Sequence, residues 1–266
     1  MKRMRRALLS LALGASLGCT STYDPYYYDN VYYDPYYGAY DAAWSYAWVD
    51  PVYGYWYYSL PVLPQQNTVD PDAAAAQLAA NVDTAFTPAG CATATASGAT
   101  VNYTFNDCTA VISLTQLTGN VQVTLSNNQG QLAATASSNN LTINGEPYTL
   151  SLQISGAPPQ GDQRQVTIVS KSFSPDHLDS RMTQGTVTWV EGSGCITVDS
   201  QTQSTRGSLS STSTVSGYQR CEHQCPSAGT VRVETSEGAF TTTFNGSSTV
   251  QVTAPNGDNK SFNLDC

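Results

Sequence analysis

The chain has 266 residues, 40% hydrophobic and 12% charged, with 11 Lys and Arg against 20 Asp and Glu and a formal charge of −9. No basic residue occurs between Arg6 and Arg164, so that stretch has nothing with which to neutralise phosphates, and the composition argues against a nucleic-acid partner. The same deficit argues against docking on anionic lipid by charge, while the length suffices for one large β domain or two small ones.

At the N-terminus, Lys2, Arg3, Arg5 and Arg6 precede an apolar run from Ala7 to Leu17, which closes at Ser16-Leu17-Gly18-Cys19. About a dozen apolar residues make roughly 18 Å of helix, short of a ~30 Å hydrocarbon core, so the run reads as a cleaved leader and not as a permanent span. These residues resemble those of a bacterial lipoprotein precursor. The resemblance implies a signal peptide over residues 1–18 and acylation of Cys19 by palmitate-class chains, which makes that cysteine the lipid anchor and the membrane the first partner. It also implies residence in the cell envelope of a Gram-negative bacterium. Thr20, directly after the cysteine, directs the expectation to the outer membrane.

Residues 19–70 form a low-complexity segment and linker. Tyr23 to Tyr58 hold fourteen of the seventeen tyrosines and three of the four tryptophans. The unit Tyr-Asp-Pro-Tyr-Tyr occurs at Tyr23–Tyr27 and again at Tyr33–Tyr37. Each Asp-Pro favours a bend or extended chain over a continuous helix, so a disordered segment is expected. Its aromatic density sets it apart from ordinary disordered tails, which are rich in charge. Two readings stand: a spacer at the membrane interface, and a binding segment for an envelope glycan or protein. Tyr26, Tyr27, Tyr36, Tyr37, Trp44, Trp48 and Trp56 are the candidate interaction residues.

Leu60 to Gln66 is a proline-punctuated linker. Asp70-Pro71-Asp72 then opens an alanine-rich run through Val82, which predicts a short helix over 71–86 with a weak packing stripe. From residue 87 to 266 the pattern changes to period two. Val101, Tyr103 and Phe105 alternate with polar residues, as do Val121, Val123 and Leu125; Tyr148, Leu150, Leu152 and Ile154; Val166 and Ile168; Val187 and Trp189; Ile196 and Val198; Val231 and Val233; Val250 and Val252; Phe262 and Leu264. Turn signals such as Asn128-Gln129-Gly130, Asn144-Gly145 and Asn256-Gly257 separate the runs. The expected fold is all-β: an antiparallel meander of about a dozen strands forming a sandwich or partly open barrel, with Thr, Ser and Gln on the wet face. A polar stretch over 174–184 suggests an internal break between β layers. This Thr- and Gly-rich half loosely resembles uncharacterised envelope lipoproteins of Gram-negative social or predatory bacteria, a likeness that carries no activity with it.

Apart from Cys19, the cysteines are Cys91, Cys108, Cys195, Cys221, Cys225 and Cys266. An even number in an exported chain predicts three disulfides. Symmetry about turns selects Cys91 with Cys108, Cys195 with Cys221, and Cys225 with Cys266, a Cys221–Cys225 bridge being the competitor for the last pair.

Cys221-Glu222-His223-Gln224-Cys225 is the one cluster resembling metal or redox chemistry. Its spacing fits neither a zinc pair nor a CxxC motif, so a disulfide reading is preferred and no metal or cofactor is expected. Asp176-His177, with Asp179 near, lacks a nucleophile elbow. The acid pairs Asp258 with Asp265 and Glu234 with Glu237 suit solvated strand ends better than a glycosidase or calcium site. The expectation is therefore a non-catalytic envelope lipoprotein with a structural, adhesive or binding role. A ligand carrier or envelope hydrolase using a cleft in the β domain is the alternative.

Overall fold

Asp70 opens the described part of the chain by capping a helix. In the computed structural model, which describes residues 70–264 apart from 111–115 and the single positions Asn144, Pro159, Leu178, Ser208 and His223, its Oδ1 accepts the N–H of Asp72 at 3.0 Å and of Ala73 at 3.3 Å. Pro71 fills the first helical position, where a missing N–H costs nothing. The helix α1 spans Pro71–Ala80. It stops at Asn81, and a second piece, α2, covers Val82–Ala85, so the single helix expected over 71–86 is broken in two. Ala74, Ala75 and Leu78 are buried where α1 lies on the sheet, so its small side chains serve packing and not only connection.

Among the described residues fourteen strands follow, all in one sheet. They are β1 Phe86–Thr87, β2 Ala92–Ser97, β3 Thr100–Ala110, β4 Gln116–Asn128, β5 Gln131–Ile143, β6 Glu146–Gly156 and β7 Gln163–Phe173; then β8 Asp179–Val190, β9 Cys195–Arg206, β10 Leu209–Cys221, β11 Ala228–Thr235, β12 Gly238–Thr243, β13 Thr249–Thr253 and β14 Asn259–Asn263. From β3 to β14 each strand pairs antiparallel with the next, while β1 and β2 both pair with β3. The meander follows from the turn chemistry, since glycines with positive φ, such as Gly130 and Gly257, recur between alternating runs. The stretch 174–184 is not a break. Ser180 pairs with Phe173 across a short turn, and the β7–β8 ladder runs on to Gln163 and Val190.

Bulges crease the sheet in two places. Register shifts lie side by side in β3 between Phe105 and Cys108, in β4 between Thr118 and Gln122, and in β5 between Ser138 and Leu141. A second shift falls in β10 between Val215 and Tyr218. Bulged strands bend and twist more strongly, so both creases turn the sheet over its own apolar face in a sandwich-like manner. Side chains satisfy the N–H groups that the bulges leave unpaired. Thr118 Oγ1 accepts from Asp107 N–H at 3.1 Å and donates to the Asp107 carboxylate at 2.7 Å. At the second crease Gly217 N–H donates to Asp199 Oδ1 at 2.7 Å.

The alternating residues read from the sequence line the buried face. Val101, Val123, Ile168, Val198, Val231 and Val233 are fully enclosed, Phe86 meets Phe105 edge-on at 5.0 Å, and α1 covers the face at β2, β3 and β4. One expectation needs correction: not every Ser and Thr is on the wet face. Ser138, Ser170, Ser172, Ser200, Thr202, Ser213 and Thr242 are all buried.

Candidate functional site

Among the described residues two of the three expected bridges are seen whole. Cys91 bonds to Cys108, with Cα atoms 5.4 Å apart, and Cys195 to Cys221, with Cα atoms 4.0 Å apart. The hairpin β2–β3 alone would set Cys91 beside Asn106, whose N–H donates to the Cys91 carbonyl at 3.0 Å; the bulge at Asp107 then carries Cys108 within reach. Cys195 and Cys221 are direct register partners in β9 and β10. The Glu222 N–H donates to the Gly194 carbonyl at 3.0 Å just beyond them, which makes the cysteines a non-hydrogen-bonded pair, the closer of the two antiparallel spacings. A Cys221–Cys225 bridge is thereby excluded. Cys225 is itself disulfide-bonded, and Cys266, its expected partner, lies outside the described residues.

The other sequence candidates fall into separate local contacts. Ser174 Oγ donates to the Asp176 carboxylate within the β7–β8 turn, and His177, at φ 57°, sets its ring 5.9 Å from that of Phe173. The Ser174 proton is thus directed to a carboxylate and not to an imidazole. Glu234 is ion-paired with Arg232 on the exposed face of β11. Asp258 accepts from Asn256 Nδ2 at 2.7 Å in the β13–β14 turn, and Asp265 lies outside the described residues. Among the described residues no group of three or more His, Cys, Asp or Glu is placed to hold a metal. Cys19 and the aromatic candidates Tyr26, Tyr27, Tyr36, Tyr37, Trp44, Trp48 and Trp56 also lie outside the described residues, as does His223.

Sequence reasoning missed a hydroxyl-rich region on the buried face. Ser170, Thr183, Thr202 and Ser213 form one row across β7, β8, β9 and β10, and Ser172, Arg181, Ser204 and Ser211 the next. Four strand positions from the first row the same face is apolar, with Val166, Val187, Val198 and Tyr218 in register. Thr183 and Thr202 hydroxyls meet at 2.9 Å. The hydroxyls of Ser200, Ser204, Ser213 and Thr242 are enclosed without a hydrogen-bond partner, each at a cost of about 1–3 kcal/mol. A signal for these residues was present: Ile196 and Val198 set the phase of β9, and period two carries Ser200 and Thr202 to the same face. Beside the second disulfide Arg220, 2% exposed, donates from Nε to the Gln224 carbonyl at 3.1 Å, so the loop between Cys221 and Cys225 folds back over it.

The chain matches no protein-family model, curated protein or solved structure. Among the described residues no helix is long and apolar enough to cross a membrane.

Proposed function

We propose that the chain is a non-catalytic cell-envelope lipoprotein: a disulfide-braced β domain held at the outer membrane by acyl chains on Cys19, with Tyr23 to Tyr58 as its binding or interface segment. The observation that carries this reading is the oxidised state of the described cysteines, with Cys91 bonded to Cys108 and Cys195 to Cys221. Such bridges persist in exported proteins and are rare in a reducing cytosol. That supports the export implied by the leader. The β domain supplies strand ends tied by covalent bonds and a sheet whose exposed face is largely Thr, Gln, Asn and Ser, a construction suited to display at a surface. The aromatic segment supplies the contact area: seventeen rings between Tyr23 and Tyr58, with no Lys or Arg among them, stack on sugar rings or other aromatic chains.

The test is photocrosslinking in living cells from a photoreactive residue placed at Tyr36 or Trp48. Adducts with envelope glycan or protein at these positions, and none from Gln251 on the β domain, are the expected result. Adducts confined to the β-domain position would reduce the segment to a spacer.

A further inference from the structure

The last strand, β14, ends the sheet and pairs only with β13 among the described residues. Two bonds fix the phase of that ladder: Leu264 N–H donates to the Ser248 carbonyl at 2.6 Å and Ala254 N–H to the Asp258 carbonyl at 2.8 Å. With the register Val250 to Phe262 and Val252 to Lys260, alternation turns the backbone groups of Lys260 and Phe262 toward β13. Those of Asn259, Ser261 and Asn263 point out of the sheet. An edge with a row of outward N–H and C=O groups is a template for another strand.

We propose that this edge pairs with the same edge of a second copy of the chain, antiparallel about a two-fold axis through Ser261. The residues of β14 are self-complementary under that operation. Ser261 faces Ser261 of the second copy, and Asn259 faces Asn263, each pair exchanging both backbone bonds. On the opposite face Lys260 comes to lie against Phe262 of the second copy. Within one chain the Lys260 Nζ already sits 5.4 Å from the centre of the Phe262 ring, so the pairing extends a cation–π contact the edge is built to make. No two like charges are brought opposite each other, and the strand contains no proline to block the ladder. The outer-face amides are held in place for the pairing: Thr249 Oγ1 donates to Asn263 Oδ1 at 3.1 Å and Thr253 Oγ1 to Asn259 Oδ1 at 2.6 Å. The interface is isologous and closes at two copies. Because the chain from Cys19 onward carries 7 Lys and Arg against 20 Asp and Glu, a net charge of −13, pairing strengthens with ionic strength as the long-range repulsion is screened.

Cysteine cross-linking on the intact protein in cells tests this directly. Partners across an outward antiparallel pair stand about 5.5 Å apart at Cα, within disulfide reach. Ser261→Cys is therefore expected to give a covalent dimer. Gln251→Cys, exposed one strand further in, is three strand spacings of about 4.8 Å from its counterpart and is expected to give none. In sedimentation of the purified intact protein, Ser261→Pro is expected to weaken association about tenfold without lowering the melting temperature, since the N–H it removes is not used by β13. A monomer at every concentration, equal cross-linking at both cysteine positions, or undiminished pairing by the proline variant would each overturn the proposal.

Discussion

At Gly119 a single hydrogen atom decides whether the first crease can form. Its φ is 117°, and a Cβ built there would stand 2.2 Å from the carbonyl oxygen of Asn140, a backbone atom that cannot swing away. Gly130 has a positive φ of 82° with nothing within 4 Å. Gly119→Ala should therefore cost about 3 kcal/mol or more and Gly130→Ala only about 1, measured as the difference in unfolding free energy in urea. The buried hydroxyls give the opposite sign. Ser213 is 2% exposed and its Oγ has no partner, so Ser213→Ala should leave stability unchanged or raise it by about 1 kcal/mol. Thr202→Val, which breaks the contact with Thr183, should lower it by about as much. Loss of stability in the first variant would mean that the Ser213 hydroxyl is satisfied after all. These sites also mark where the sequence stops being legible. A glycine in a Thr-rich strand looks the same whether it relieves a bulge or merely interrupts a run. A serine on the core face is told from one on the wet face only by extending the phase of its apolar neighbours.

The strands themselves were legible. Alternation placed Val121, Val123 and Leu125, or Ile196 and Val198, on the buried side because one face of an antiparallel sheet meets the core and the other meets water. The strands that escaped notice, such as β5 with Ala134, Ala136 and Ser138 inward, are built from small residues whose apolar signal is weak. Hairpin symmetry identified both established bridges, since cysteines equidistant from a turn face each other. It placed Cys91 with Cys108 despite the bulge, which lengthens one arm. By loop-closure entropy the two bridges, spanning 17 and 26 residues, contribute about 3 and 3.5 kcal/mol. Nonreducing peptide mapping should recover one fragment joining Cys91 to Cys108 and another joining Cys195 to Cys221. A free thiol at any of the four positions would contradict the arrangement, and replacement of Cys195 and Cys221 together by alanine should lower the unfolding free energy by about 3.5 kcal/mol. At the other end of the domain, Asp70→Ala should cost about 1 kcal/mol by removing the cap of α1.

For the whole molecule, the proposed export rests on two independent features, the bridged cysteines of the described domain and the lipoprotein-like residues before Cys19. The bridges from Cys91, just before β2, to Cys108 in β3 and from Cys195 in β9 to Cys221 in β10 suit an oxidising environment, and the basic, apolar and small-residue succession before Cys19 is what the proposal of export and acylation is built on. The creases of the sheet let one long meander enclose an apolar face that the ten-residue helix α1 covers only in part. Its polar face repeats Thr, Gln, Asn and Ser along the described strands. In the proposed function Cys19 joins the domain to a membrane, and metabolic labelling of cells with an alkyne analogue of palmitate, followed by click detection on the immunoprecipitated protein, interrogates that proposal directly. Label on the parent chain and none on Cys19→Ser, with the labelled protein in the outer-membrane fraction, is the expected result; equal labelling of the two proteins would contradict the anchor.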